Sequence, residues 1–162
     1  YLMMIEKKTA LLLAHSLRIG AYIAGASTDE QEALYQYGRH IGIAFQIQDD
    51  VLDVYGDPSS FGKAIGGDIC CNKKTFLLLT ALDIADAESK AELLQWLITS
   101  NQNEEKIKAI TSIYTRLGVR QIGEAVMEDH TAEALAQLEL LPQNEYTNHL
   151  RELAEKLATR KR

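Results

Sequence analysis

The chain has 162 residues, of which 46% are hydrophobic and 25% charged, and its formal net charge is −6. This length fits one domain with a sizeable core, and the acidic balance excludes nucleic acid as the main partner, because phosphate backbones are bound by clustered lysines and arginines. No apolar stretch approaches the roughly 18 residues of a membrane span and no signal-peptide pattern opens the chain, so we predict a cytoplasmic protein without a transmembrane segment.

Apolar residues at helical spacing, together with only two prolines, predict an all-α chain. The first predicted helix covers residues 2–25. A second helix is predicted from Thr28 to about Tyr55, because Thr28 and Gln31 form a capping-box pattern. Glycines and other turn-forming residues then predict a loop over residues 56–71.

Five more helices are predicted after residue 71. Asn72 is the expected N-cap of the third helix, which carries Thr75 to about Ala87. Four shorter helices follow, at roughly 88–99, 103–116, 119–140 and 146–160. We therefore expect one helical domain over residues 1–162.

An unusual group of carboxylates lies near the end of the second predicted helix. Asp49 and Asp53 share one helix face with Asp50 beside them, and Phe45 and Gln46 precede them by one turn. A solvated acidic face is the ordinary alternative, but these carboxylates lie among apolar residues. Like charges at this spacing repel each other unless a cation lies between them, and oxygen ligands favour Mg²⁺. A calcium loop is excluded because the spacing is helical.

Lysines near glycines and predicted helix starts form the second candidate feature. Lys63 follows Gly62, and Lys73 lies a few residues after the pair Gly66–Gly67. Such elements occur in phosphate sites but also in ordinary surface loops, so the pattern gains weight only from the carboxylates upstream. Lys8, on the first predicted helix, would by itself be read as a surface lysine.

Taken in order, these motifs resemble those of the trans-isoprenyl diphosphate synthases, also called polyprenyl synthetases. The resemblance covers the whole chain and is densest between positions 8 and 80. The motifs that carry it are Lys8-Thr9, Phe45-Gln46-Ile47-Gln48-Asp49-Asp50-Val51-Leu52-Asp53, Gly62-Lys63, Gly66-Gly67-Asp68 and Lys73-Lys74-Thr75.

The resemblance implies an isoprenoid-synthase-type bundle of helices, of which this chain is the C-terminal part, and a homodimer. It also implies condensation of isopentenyl diphosphate with an allylic diphosphate at a Mg²⁺ site. Asp49 would bind Mg²⁺ directly, with Asp50 and Asp53 as supporting ligands. The remaining implied roles are diphosphate binding by Lys8, Lys63 and Lys73, polar contact near the carbocation by Thr9 and Gln46, and a wall of the isopentenyl pocket by Phe45.

One departure from the resemblance matters for activity. Family members are typically about twice this long and carry a first aspartate-rich motif in their N-terminal half, which has no counterpart here. We therefore expect a fragment with little turnover of its own. The alternative is a non-catalytic subunit that regulates a full-length synthase. A terpene cyclase of the same fold is disfavoured because Gly62-Lys63 and Lys73-Lys74-Thr75 resemble the chain-elongating branch.

Overall fold

A computed structural model describes residues 1–57, 65–99 and 104–159. Every regular element in these ranges is a helix, which confirms the predicted all-α class. None of these helices is both long enough and apolar enough to cross a membrane. The elements are α1 (Leu2–Ile5), a π-helical turn (Glu6–Ala10), α2 (Leu11–Ile23), α3 (Thr28–Tyr55), α4 (Gly67–Cys70), α5 (Phe76–Ile84), α6 (Ala87–Ile98), α7 (Glu104–Arg116), α8 (Val119–Leu138) and α9 (Glu145–Ala158).

The predicted first helix is interrupted by the π-helical turn, which the hydrophobic spacing did not reveal. The turn ends at Ala10, which is fully buried. A Cβ added at Gly42 of α3 would lie 2.5 Å from the Cα of Ala10, so the two backbones approach closely at this point. Glycine is therefore required at position 42, because any side chain would separate the two helices.

The predicted start of α3 at Thr28 is confirmed, but two predicted N-cap residues were wrong, by one and three positions. Ser27, not Thr28, caps α3, since its hydroxyl accepts from the Glu30 N–H while the Glu30 carboxylate accepts from the Ser27 N–H. Thr75, not Asn72, caps α5 by accepting from the Leu78 N–H at 3.2 Å. Asn72 cannot serve as the cap because its φ of 51° is left-handed, whereas an N-cap residue is normally extended.

One helix end was also wrong, because α5 ends at Ile84, three residues before its predicted end at about Ala87. The four predicted C-terminal helices are present as α6 to α9, with ends shifted by at most two residues. Gly118, with a φ of 68°, separates α7 from α8 in the left-handed conformation expected of a helix C-cap glycine. The short α4 lies inside the stretch that was predicted to be a loop.

The chain divides into two compact units. Among the described residues, unit 1 contains Tyr1 and residues 49–57, 65–99 and 104–124, and unit 2 contains residues 2–48 and 125–159. The core of unit 1 is apolar and includes the fully buried residues Leu77, Leu93, Ile113 and Val119. The predicted single domain over residues 1–162 stays a prediction.

Unit 2 has its own core, which packs around one buried aromatic ring. Tyr37 of α3 is 1% exposed, and its hydroxyl donates a hydrogen bond to the Leu150 carbonyl of α9 at 2.7 Å. This bond satisfies the polar end of an otherwise apolar side chain. The other buried members of this core are Ala33, Ile41, Ala134, Leu138, Leu141 and Ala154.

Two half-buried histidines meet inside unit 2. The Nδ1 atoms of His40 on α3 and His130 on α8 are 3.0 Å apart, so one ring donates and the other accepts. Burial lowers the pKa of both imidazoles, and for His40 the neighbouring His130 lowers it further. Arg39 lowers both pKa values, whereas Glu6 and Glu133 act to raise both and Asp129 acts to raise that of His130.

We expect this histidine pair to make unfolding pH-dependent. Because the folded-state pKa values are lowered, the folded state takes up protons less readily than the unfolded state, whose histidines titrate near about pH 6.5. Stability should therefore fall as the pH falls below about 6.5. Urea unfolding of His130→Gln should show a weaker pH dependence in this window than wild type, and His149→Gln, at an exposed site, is the control. Equal slopes for both variants would contradict the prediction.

Candidate functional site

Asp50 of α3 is the most buried of the three predicted metal ligands, with 1% exposure. Its Oδ2 accepts a hydrogen bond from the Phe76 N–H at 3.0 Å and another from the Tyr1 hydroxyl. Its Oδ1 has no hydrogen-bond partner in the described part of the chain and lies 3.7 Å from the Nζ of Lys73. This carboxylate therefore joins the start of α5, Tyr1 and a lysine, all within unit 1.

Asp53, one turn after Asp50 on α3, accepts hydrogen bonds from the segment that contains Gly66 and Asp68. Its Oδ2 accepts from the Asp68 N–H at 3.0 Å, and its backbone carbonyl accepts from the Gly66 N–H at 2.7 Å. The Asp68 carboxylate in turn accepts from the Nζ of Lys73 at 2.6 Å. Two of the three predicted carboxylates, Asp50 and Asp53, are thus brought together with Lys73 and Asp68.

Burial and close charges shift the pKa values of this group. Burial raises the pKa of both Asp50 and Asp53, while hydrogen bonds from Tyr1 and from backbone N–H groups act to lower them. Burial acts to lower the pKa of Lys73, but its carboxylate neighbours, Asp68 first, raise it overall. Lys73 therefore stays charged, as the one ammonium paired directly with this carboxylate group in the described residues.

The donor set suits Mg²⁺ in its chemistry, because all the candidate ligands are oxygens. Asp50 has only its buried Oδ1 left for direct coordination, since Tyr1 and Phe76 already donate to its Oδ2. Asp49 is half-exposed on the same helix. Within residues 1–57, 65–99 and 104–159, no three His, Cys, Asp or Glu side chains converge on a metal position. A Mg²⁺ ion here would need water or phosphate oxygens to complete its shell.

Unit 2 carries a second part of the predicted site. The Thr9 hydroxyl, in the π-helical turn, donates to the Gln46 side-chain oxygen on α3 at 3.2 Å. Single π-helical turns often occur at functional sites, because they displace side chains from the regular helical face. Lys8, in the same turn, is exposed. The side chains of Thr9 and Gln46 are thus in direct contact, and their predicted role near the carbocation stays a prediction.

Thr9 and Phe45 also line an apolar cavity of about 510 Å³ within unit 2. The other lining residues are Leu12, Leu13, Ser16, Leu17, Tyr37, Ile41, Gly42, Leu150, Leu153 and Leu157. Their side chains come from the π-helical turn, α2, α3 and α9 and are almost all apolar. This cavity suits a hydrocarbon group better than a charged one.

One predicted site residue cannot be located, and two residues of the site were not predicted. Lys63 lies outside the described residues, so its predicted diphosphate contact stays a prediction. No role was predicted for Tyr1, and Asp68 was named only as part of the motif Gly66-Gly67-Asp68. Tyr1 nevertheless contacts Asp50, and Asp68 contacts Lys73. The spacing of five residues between Asp68 and Lys73 was the available signal for Asp68. Tyr1 offered no such signal, because it is 49 positions from Asp50.

Comparison with known sequences identifies one family. The sequence model of the polyprenyl synthetase family matches residues 1–114. The short chain isoprenyl diphosphate synthase of Methanothermobacter thermautotrophicus is 37% identical over 155 residues, which cover 96% of this chain and 47% of the relative. Heptaprenyl diphosphate synthase component 2 of Bacillus subtilis is 31% identical over 161 residues, covering 99% of this chain and 45% of the relative.

Solved structures agree with the sequence comparison. Geranylgeranyl pyrophosphate synthase from Corynebacterium glutamicum, complexed with isoprenyl diphosphate and magnesium, matches with a TM-score of 0.86 at 33% identity. The match covers 100% of this chain and 47% of that structure. The predicted isoprenoid-synthase-type helical fold is thereby confirmed, and the chain spans about half the length of the curated relatives it matches.

Proposed function

Because the chain belongs to the polyprenyl synthetase family, we propose that it forms part of a prenyltransferase that joins isopentenyl diphosphate to an allylic diphosphate. The observation that carries this proposal is the position of Lys73, whose ammonium is held by Asp68 and lies beside buried Asp50. A lysine fixed in this way can meet the leaving diphosphate without first being ordered. The product is a prenyl diphosphate longer by one isopentenyl unit.

Mg²⁺ is the proposed cofactor, and the half-exposed Asp49 is the residue best suited to bind it, with Asp53 as a second carboxylate. When bound, Mg²⁺ would supply positive charge that stabilises the departing diphosphate. Asp50 has a different role, because its hydrogen bonds with Tyr1 and Phe76 fix it as a buried carboxylate beside Lys73. It adds to the effect of Asp68 in raising the pKa of the lysine.

The polar pair in unit 2, Thr9 and Gln46, has a proposed role in stabilising positive charge. The Thr9 hydroxyl and the Gln46 carbonyl present dipoles that can stabilise positive charge as the allylic carbon loses its diphosphate. Phe45 and the apolar cavity would exclude water from that carbocation. Lys8 and Lys63 complete the proposed diphosphate contacts.

Isopentenyl incorporation tests the proposal directly. The protein encoded by the whole reading frame that contains these residues is incubated with radiolabelled isopentenyl diphosphate, an allylic diphosphate and MgCl₂. We expect a labelled product extractable into organic solvent, and we expect EDTA to abolish it. Absence of product with allylic acceptors of several lengths would refute the prenyltransferase function.

The alternative function is a non-catalytic subunit of a prenyl diphosphate synthase. The match to a protein named component 2 of a heptaprenyl diphosphate synthase keeps this alternative open. It predicts no product from the protein alone but a change in product length or rate when it is mixed with a full-length synthase. Homodimer formation and cytoplasmic localisation remain predictions of the sequence.

A further inference from the structure

Lys106, in the first turn of α7, is a lysine buried to 1% exposure in unit 1. Its Nζ donates to the Oδ1 of Asn72 at 2.7 Å and to the Thr99 carbonyl at 3.5 Å. A buried cation at the positive N-terminal end of a helix is doubly unfavourable unless acceptors surround it. The Thr99 carbonyl, directly after α6, and the side-chain oxygen of Asn72 supply such acceptors.

Asn72 connects this lysine to α6 while holding a left-handed backbone conformation, with a φ of 51°. Its Nδ2 donates to the Leu97 carbonyl in the last turn of α6 at 2.9 Å. Both functional groups of the amide are therefore engaged, one by Lys106 and one by α6. The side chain is fixed from two directions, although the residue itself is at the surface.

Asn72 directly precedes Lys73, the proposed diphosphate ligand. The Lys73 N–H donates to the Asp68 carbonyl at 2.9 Å, and the Lys73 carbonyl accepts from the Thr75 N–H at 2.8 Å. The backbone of Lys73 is thus held on both sides in a short connection between α4 and α5. Anchoring of Asn72 restricts this connection and therefore the direction of the lysine side chain.

We propose that Lys106 and Asn72 form a positioning pair that fixes the Lys73 connection for diphosphate binding. Lys106 acts only through Asn72 and makes no contact with substrate in this scheme. The diphosphate part of the inference rests on the proposed function, whereas the anchoring itself does not. The pair is a structural means of ordering a phosphate-binding lysine before the substrate arrives.

Amide hydrogen exchange tests the anchoring. Lys106→Met removes the ammonium and keeps the length of the side chain, and Asn72→Gly keeps the left-handed backbone while removing both amide hydrogen bonds. In each variant we expect exchange of the Lys73 and Thr75 amides to accelerate roughly tenfold, as for the loss of one charge-assisted hydrogen bond. The amides in the middle of α7 should not change. Lys108→Met, at an exposed site on the same helix, is the control.

Unchanged exchange at Lys73 and Thr75 in both variants would overturn the inference. Two variants are needed because the buried site at Lys106 could destabilise the whole of unit 1 when altered. Global destabilisation accelerates exchange in α7 as well, and in that case the surface variant Asn72→Gly gives the decisive result.

Calorimetric titration with inorganic pyrophosphate and MgCl₂ tests the link to diphosphate, using the protein encoded by the whole reading frame. Wild-type protein should bind, and Asn72→Gly and Lys106→Met should each bind roughly tenfold more weakly, while Lys108→Met binds normally. Equal affinity of wild type and both variants would overturn the inference alone. A wild-type protein that binds no pyrophosphate would instead contradict the proposed function, and the exchange experiment would then decide the anchoring by itself.

Discussion

Replacement of Asp49 by alanine, in the protein encoded by the whole reading frame, is expected to lower kcat for isopentenyl transfer by about 10²- to 10³-fold. Asp49 is the half-exposed member of the three aspartates, whereas Asp50 is buried and bonded to Tyr1 and Phe76. Loss of the proposed metal ligand should also raise the MgCl₂ concentration needed for half-maximal rate. Initial rates over a series of MgCl₂ concentrations measure both effects.

The control for this prediction is Asp83→Ala, which removes a carboxylate from an exposed position on α5. It should leave the rate and its MgCl₂ dependence unchanged. If Asp49→Ala behaves like this control, Asp49 has no role in metal binding, and the metal assignment of the whole aspartate group would need to be abandoned.

Replacement of Lys73 by methionine should lower kcat/KM for the allylic diphosphate by about 100-fold. The change removes the ammonium that Asp68 holds at 2.6 Å, and it leaves buried Asp50 without the cation that lies 3.7 Å away. Because Lys73 is 48% exposed, solvent screens the second effect, and we expect a cost in folding stability of only about 1 kcal/mol. Steady-state kinetics and urea unfolding separate the two consequences.

Lys74→Met is the matched control, since Lys74 is the neighbouring exposed lysine. It removes the same charge from the same connection without removing the Asp68 contact. Equal losses of kcat/KM in the two variants would show that the charge of the loop matters but the fixed position of Lys73 does not. If kcat/KM of Lys73→Met equals that of wild type, Lys73 does not bind the diphosphate.

Hydrophobic spacing was sufficient to locate most helices, because each helix of a bundle must present an apolar stripe. It predicted α3 with both ends nearly correct and the four C-terminal helices to within two residues. The two wrong N-cap predictions have different physical causes. Ser27 replaced Thr28 as a cap because Glu30, rather than Gln31, makes the reciprocal bond. Asn72 was misassigned because its side chain serves distant partners instead of the helix that follows.

At the candidate site, too, local patterns predicted which residues matter, but not which of them are buried. The sequence predicted a metal role for Asp49, Asp50 and Asp53 from residue type and spacing, and a diphosphate role for Lys73 through the family resemblance; these roles stay predictions. It could not separate the buried Asp50 from the half-exposed Asp49, because neighbouring helical positions point in directions about 100° apart and only packing decides which direction is buried.

The sequence by itself determined the helical class, the family motifs and the candidate chemistry of an oxygen-rich site with lysines. These depend on residue type and on short spacing along one chain. Only the tertiary structure decided that Tyr1 donates to Asp50, that Asp68 holds Lys73 and that Lys106 anchors Asn72. Each of these contacts joins different elements, and two of them join residues more than 30 positions apart. These two distant contacts form only when packing brings the segments together, so no local pattern in the sequence encodes them, whereas the Asp68–Lys73 contact joins residues only five positions apart.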